Sequence, residues 1–229
     1  MQLLKHIYRR TIEVDEESSN LLRMVDCLEL SSQHKILDVG CGYGKYLKAF
    51  SGRGYTISGI DINPEIVKKN RESGLSCFVP SELTDDEEVY DLLLMSHVIE
   101  HFSPSELLKF IDDSLQKLKA GGHFIIITPL LSTYFYDDFD HIKPYHPVGL
   151  SMVFGDRSSQ VQFYADHHIE LRDIWFRKAP FRISFFPGLY IKKYSQFPKV
   201  INFLLACLFR VTFGLVGKVD GWIGVYQKM

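Results

Sequence analysis

Ile36-Leu37-Asp38-Val39-Gly40-Cys41-Gly42-Tyr43-Gly44 decides how this chain is read. An apolar run carrying one acid stops at three glycines spaced two apart, and the pattern then turns helical through Tyr46, Leu47 and Phe50. That is a buried strand feeding a tight turn and then a helix. Glycine suits the turn because the backbone must bend sharply and leave no Cβ between itself and a ligand. The N–H groups of the turn and of the helix N-terminus then favour an anionic or polar group.

A second strand, Thr56-Ile57-Ser58-Gly59-Ile60, ends on Asp61, seventeen residues past Gly44. In a doubly wound sheet an acid at that point lies beside the glycine turn and can accept two hydrogen bonds from a ribose diol. The expected ligand is a nucleoside with a charged or polar tail. The dinucleotide fingerprint G-x-G-x-x-G does not fit, because it requires glycine where Lys45 or Leu47 stands.

The stretch from Asp38 to Gly44 instead resembles the D-x-G-x-G-x-G motif of class I methyltransferases that use S-adenosylmethionine. Asp61 matches that family's ribose-binding acid, Tyr90–His97 resembles its fourth strand, and Leu118–Pro129, with Gly121 and Gly122, resembles its fifth with the preceding glycine pair. The resemblance covers roughly residues 33 to 130. It implies an α/β fold, a Rossmann-like doubly wound seven-stranded sheet, mostly parallel with an antiparallel last strand, plus a C-terminal helical insertion. Residues 1–229 would form one methyltransferase domain, with 1–32 as a helical cap and 179–218 as a basic, aromatic insertion before the last strand.

The resemblance also implies S-adenosyl-L-methionine as cofactor. Gly40, Cys41, Gly42 and Gly44 would shape the pocket for its methionyl part, and Asp38 would order the turn and meet the amino group. Asp61 and Ile62 would hold the ribose, Ser81 and Glu82 the adenine, and Ser96 and His97 would complete the wall. Tyr8, Arg9 and Arg10 are offered for the methionyl carboxylate, against the reading of an exposed N-terminal stretch.

Composition fits this picture. The chain has 229 residues, ample for one domain with a sizeable core, and 46% of them are hydrophobic. Its four cysteines include no C-x-x-C pair, which argues against a zinc ribbon or disulfide framework and suits a reducing cytosol. No signal peptide is read at the N-terminus, and the expected location is cytoplasmic.

Charge is divided unevenly. Residues 1–150 hold 15 Lys/Arg against 23 Asp/Glu, and residues 151–229 hold 11 against 5. Arg177, Lys178, Arg182, Lys192, Lys193, Lys199, Arg210 and Lys218 follow one another with no acid among them. Such a segment invites an anionic partner, or is a solvated face offsetting an acidic body. Val200–Val216 is apolar enough to be weighed as a membrane span, but it is short and carries Arg210 near its middle. The preferred reading is a helix packed on the domain or a lid over the substrate. The other reading is a peripheral membrane contact through 182–218.

The remaining elements read as helices over about 16–28, 44–51, 64–72, 104–119 and 148–154, and strands over 76–79, 123–128, 169–176 and 221–226, with Thr84–Glu88 a solvated acidic turn. Ligands of an open parallel sheet bind beyond the carboxyl ends of its strands, which puts His97, Glu100 and His101 at the pocket mouth. Beyond the fifth strand, Tyr134–Pro147 is polar and aromatic. Its Asp140-His141-Ile142-Lys143-Pro144-Tyr145-His146-Pro147 resembles a D-H-x-R-x-y-T-P block of small-molecule methyltransferases, with His146 where Ser or Thr usually stands.

Methyl transfer from a sulfonium is an in-line displacement that gains much of its rate from holding acceptor and methyl collinear. A base is needed when the acceptor is a neutral hydroxyl or a protonated amine. His97 and His141 are the candidate bases, because an imidazole titrates near neutrality, with a hydrogen-bonded structural histidine as the competing reading. His101, Tyr134, Tyr145 and His146 are the candidate acceptor contacts. The reading is methylation of oxygen, less favourably nitrogen, on a small molecule such as a sugar, a quinone-like ring or a lipid-linked precursor.

Two alternatives are kept open. An E-x-x-E-H run with a downstream D-H block resembles the metal site of small-RNA 2′-O-methyltransferases. His97, Glu100, His101 and His141 would be its counterparts, although the leading expectation is no metal. A nucleic-acid partner is disfavoured by the acidic body and the lack of an RNA-binding module. The other alternative is a non-catalytic protein that binds the cofactor and serves as a partner. Oligomeric state is not legible.

Overall fold

The computed structural model describes residues 16–83, 89–191 and 196–229. Tyr8, Arg9 and Arg10, the acidic Thr84–Glu88 turn, and Lys192 and Lys193 lie outside the described residues.

In chain order the elements are α1 (Glu16–Asp26), β1 (Lys35–Val39), α2 (Lys45–Ser51), β2 (Thr56–Ile60), α3 (Pro64–Glu72), β3 (Cys77–Phe78), β4 (Tyr90–Ser96), α4 (Pro104–Leu115), β5 (Leu118–Pro129), α5 (Pro147–Phe154), β6 (Ile169–Ala179), α6 (Pro187–Tyr190), α7 (Gln196–Val211) and β7 (Lys218–Lys228). One seven-stranded sheet runs β3-β2-β1-β4-β5-β7-β6. The pairs among β1 to β5 are parallel, and β7 is antiparallel to both β5 and β6. The chain order reverses beside β1, between β2 and β4, so the glycine turn falls at the switch point where such sheets bind ligands.

Successive side chains of a strand point to opposite faces, and both faces are covered here. Leu37, Val39, Leu93, Met95, Phe124 and Ile126 pack with α4 and α5 on one side. Ile36, Leu92, Leu94, Ile125 and Ile127 pack with α1 and α2 on the other. This is why β1, β4 and β5 read as nearly continuous apolar runs.

The helix expected over 104–119 stops at Leu115. The backbone N–H groups of Val89 and Tyr90 both donate to the Lys117 carbonyl, and Leu118 already pairs with Tyr90 in the sheet. Lys228 Nζ, buried, donates to the carbonyls of Leu115 and Leu118 at 2.9 and 2.7 Å. Those partners satisfy the helix end, so the periodicity running on to Lys119 does not decide it.

The insertion lies between Ala179 and Lys218 and is mainly α7. Ala206 and Phe209 are buried on its inner side, where Arg210 donates to Glu16 at 2.7 Å. Among the described residues no helix is long and apolar enough to cross a membrane.

Candidate active site

Where β1 ends, the backbone turns through Gly40 (φ +74°) and Gly42 (φ +49°). A Cβ at Gly40 would lie 2.5 Å from Val98 Cγ2, whereas one at Gly42 would meet nothing within 4 Å. Gly40 is therefore needed for packing, and Gly42 faces open space on the ligand side. Gly44 follows as the N-cap of α2. The Ile60 carbonyl holds the turn by accepting from the Gly40 and Cys41 N–H groups at 2.8 and 3.0 Å. Asp61 Oδ2 accepts from Gly42 N at 2.9 Å, and Asp61 Oδ1 accepts from Asn63 N at 2.9 Å. Each oxygen retains a further lone pair. Ile62 beside it is 87% exposed, an apolar side chain presented at the rim.

Asp38 is the telling residue. It is buried, and among the described residues neither carboxylate oxygen has a hydrogen-bond partner. Burial, with Asp61 nearby, pushes its pKa up to about 7. An unpartnered buried carboxylate is costly, and a cationic donor arriving beside it removes that cost. The orphaned Asp38 and the space over Gly42 fit the amino group and methionyl chain of S-adenosylmethionine.

Other expected cofactor contacts are placed unevenly. Cys41 Sγ lies 3.4 Å from the buried Cys77 Sγ, so this residue serves the turn through its backbone. Glu82 is engaged by Arg71 and accepts from Val79 N at 3.0 Å, which holds its carboxylate on its own turn instead of on an adenine; Ser81 beside it is exposed. Ser96 ends β4. Asn70, a residue with no motif to flag it, donates from α3 to the Gly42 carbonyl at 2.7 Å and fixes the turn from behind.

His97 sits between two carboxylates. Its φ is +55°, and both ring nitrogens face carboxylates: Nδ1 lies 3.2 Å from Glu100 Oε1, and Nε2 lies 3.1 Å from Glu17 Oε1. Burial favours the neutral ring, but the hydrogen bonds and charges of Glu100 and Glu17 outweigh it and raise the pKa to about 9. Both ring nitrogens facing carboxylates, with the pKa raised, favour the protonated ring and the geometry of a clamp over that of a base. The clamp continues through Glu17 to Arg177, which donates from Nε to Asp220 Oδ1 at 2.8 Å. Thr128 Oγ1 donates to Glu100 Oε2 at 3.0 Å. Glu17, Thr128, Arg177 and Asp220 carry no signature of their own in the sequence.

Beyond Glu100 lies the Tyr134–Pro147 stretch expected to hold the acceptor. The backbone carbonyl of Glu100 accepts from Ile142 and Lys143 N–H at 2.9 and 3.2 Å, which pins the D-H-x-x-P-Y block over the end of β4. His141 Nδ1 is 2.6 Å from the Phe135 carbonyl, and His101 Nδ1 is 3.1 Å from the Asp140 carbonyl. A carbonyl can only accept, so both Nδ1 atoms carry hydrogen and both Nε2 atoms keep a lone pair when the rings are neutral. Asp138 Oδ2 is 3.8 Å from His141 Nε2, beyond hydrogen-bond range. One ligating atom each from Glu100, His101 and His141 falls within 4.8 Å of the others. His97, the fourth member of the expected metal set, is tied to its carboxylates instead.

Of the other expected acceptor contacts, Tyr145 is turned inward. It is buried, its hydroxyl donates to the Phe102 carbonyl at 2.9 Å, and its carbonyl accepts from Trp222 Nε1 at 2.9 Å. His146 caps α5, with Nδ1 accepting from Val148 N at 3.3 Å, the task Ser or Thr performs in the resembling block. Tyr134 does line a cleft of about 220 Å³, together with Ser132, His141, Arg177, Arg182 and Lys218.

Fold and site together define a class I S-adenosylmethionine-dependent methyltransferase. Residues 6–194 match the family model described as "Methyltransferase domain", and the chain belongs to that family. It is 31% identical over 102 residues to the ubiquinone biosynthesis O-methyltransferase of Chelativorans sp. (strain BNC1), covering 41% of this chain and 40% of that protein. It is 33% identical over 106 residues to the mitochondrial ubiquinone biosynthesis O-methyltransferase of Rattus norvegicus, covering 41% and 30%. The chain thus spans less than half the length of these relatives. Among solved structures, a SAM-dependent methyltransferase from Archaeoglobus fulgidus superposes with a TM-score of 0.59 at 20% identity, over 98% of this chain and 99% of that one. An S-adenosylmethionine-dependent methyltransferase from Mesorhizobium loti does so at 0.55 and 13%, over 94% and 99%. At these identities the likeness concerns the fold.

Proposed function

We propose that the protein transfers a methyl group from S-adenosylmethionine to an oxygen of a small molecule. The observation that carries the cofactor assignment is Asp38, buried and without a partner among the described residues, at a glycine turn with open space above Gly42. The cofactor supplies an electrophilic methyl on a sulfonium. Asp38 and the turn hold its aminoacyl end, and Asp61 its ribose. Ile62 and Ser81 border the adenine side, and His97 with Ser96 closes the wall.

On the acceptor side, His141 Nε2 takes the proton of the acceptor hydroxyl, while its Nδ1–H stays on the Phe135 carbonyl and fixes the ring. Tyr134 encloses the acceptor. Arg182 and Lys218 line the same cleft, which favours an acceptor that also carries a carboxylate or phosphate. The names of the ubiquinone biosynthesis O-methyltransferases support a hydroxyl acceptor on a quinone-like or lipid-linked precursor. The first experiment is calorimetric binding of S-adenosylmethionine and S-adenosylhomocysteine, with NAD as control, followed by labelled-methyl transfer to hydroxylated aromatic acids. Micromolar binding of the first pair alone supports the reading. A folded protein that binds none of them refutes it and favours a partner protein.

One observation favours a metal-assisted variant. Glu100, His101 and His141 form a carboxylate–bis-imidazole set whose histidines are oriented by backbone carbonyls, as metal-bound histidines commonly are. A divalent cation held there would position and polarise the acceptor oxygen, and His141 would be its ligand instead of the base. Methyl transfer abolished by EDTA and restored by manganese or zinc selects this variant, and EDTA-indifferent turnover removes it. An RNA acceptor would share that trio, and salt-dependent RNA affinity would reveal it.

A further inference from the structure

Helix α7 carries more apolar side chains than its packing on the domain buries. Phe197, Val200, Leu204, Leu208 and Val211 are each 44–76% exposed. At 3.6 residues per turn they fall within about 80° of one another, on one stripe. Phe213, 93% exposed, continues the stripe past the helix end. The patch widens at the other end, where Phe186 meets Phe197 with ring centroids 6.4 Å apart and Asn202 Oδ1 accepts from Ile183 N at 2.7 Å. Phe185 and Phe213 hold φ of +59° and +51°, a region costly for aromatic residues, and both rings face outward. A solvent-facing apolar stripe flanked by strained, exposed aromatics calls for an occupant.

Charge indicates which one. From Arg177 to Lys218 the sequence has eight Lys/Arg and no Asp or Glu; Arg177 and Arg210 are paired within the domain with Glu17, Asp220 and Glu16. Lys199 on α7 and Arg182 beside it are exposed. A second copy docking by the same face would set these cations against their own counterparts with no acid to meet them. An anionic bilayer complements both features: apolar side chains enter the acyl boundary while lysine and arginine meet the headgroups.

We propose that α7 and the adjoining 181–186 segment form a peripheral docking surface for anionic lipid membranes. Arg182 belongs both to this surface and to the cleft beside His141, so a docked protein presents its acceptor cleft at the lipid surface. The surface itself does not depend on the reaction assigned above.

The test is co-sedimentation of the full chain with vesicles of phosphatidylglycerol and, separately, of phosphatidylcholine. Binding to the first, little binding to the second and release by added salt are expected. The double variant Leu204→Gln/Leu208→Gln should weaken vesicle binding by about tenfold or more, with circular dichroism unchanged. Failure of the wild type to sediment with phosphatidylglycerol vesicles would overturn the proposal. So would equal binding by the double variant, or a wild-type dimer in light scattering that the variant converts to a monomer, which would assign the face to a second copy.

Discussion

Replacing Asp38 by Asn should make the empty protein more stable and the cofactor complex weaker, two effects of opposite sign from one atom pair. The Asp38 carboxyl titrates near 7 in the folded chain, against 3.8 for the ordinary group. The folded state therefore holds a proton that the unfolded state has released between those values, and stability falls as pH rises across that window. About three pH units at about 1.4 kcal/mol each give an upper figure of about 4 kcal/mol, fully felt above pH ~7. Asn removes the charge but leaves a buried amide to satisfy, at about 1–3 kcal/mol. The expected net gain is about 1–3 kcal/mol at alkaline pH, and below pH ~4, where the wild-type carboxyl is neutral in both states, the gain disappears. Cofactor affinity should fall about 100-fold, the loss of a charge-assisted hydrogen bond of about 3 kcal/mol. In the wild type that affinity should also decline below pH ~7, approaching tenfold per unit as the carboxylate must first lose its proton; in the variant it should not. Urea denaturation of the empty protein across pH, with calorimetry of S-adenosylmethionine in parallel, reads both. A variant that is destabilised at alkaline pH, or that binds the cofactor as tightly as wild type, would refute the reasoning.

Further expectations concern the turn and the histidines. Gly42→Ala, built at φ +49° into open space, should cost about 1 kcal/mol of stability yet lower cofactor affinity by considerably more than that strain explains, as calorimetry would show. His141→Ala should reduce kcat by about 10² to 10⁴ with cofactor affinity unchanged, measured by labelled-methyl transfer on any acceptor the wild type accepts. The His97 pKa is raised to about 9, so its contribution to stability is complete below pH ~6.5 and lost as pH rises through about 9. The melting temperature should fall over that window, and His97→Gln should show a flatter pH dependence. A wild-type profile flat from pH ~6.5 to ~10 would contradict the two-carboxylate clamp.

The fold was legible because β1, β4 and β5 are buried on both faces and so read as unbroken apolar runs, and because the glycine turn fixes where the chain order reverses. The end of α4 was not, since a buried lysine some 110 residues away decides it. Asp38 and the glycines could be placed together in space because the spacing of one contiguous turn sets them. His97 could be located but not given its role. Its partner Glu17 lies 80 residues away, and Arg177 lies 160 residues from Glu17; no local pattern records such pairings. Tyr145 illustrates the remaining gap: a sequence shows an aromatic ring in a polar loop, but not that its hydroxyl points to the Phe102 carbonyl.

Glu100 belongs to both halves of the site. One oxygen faces the His97 ring, on the side proposed for the cofactor, and a carboxylate oxygen also lies within 4.8 Å of a ring nitrogen of each of the two histidines on the side proposed for the acceptor. Positive charge arriving at one half competes for the electrons that bind the other, and by reciprocity each half reports on the other's occupancy. If both halves are occupied as proposed, each ligand would change the other's affinity by the same factor, so binding of one measured with and without the other reads the coupling carried by a single side chain.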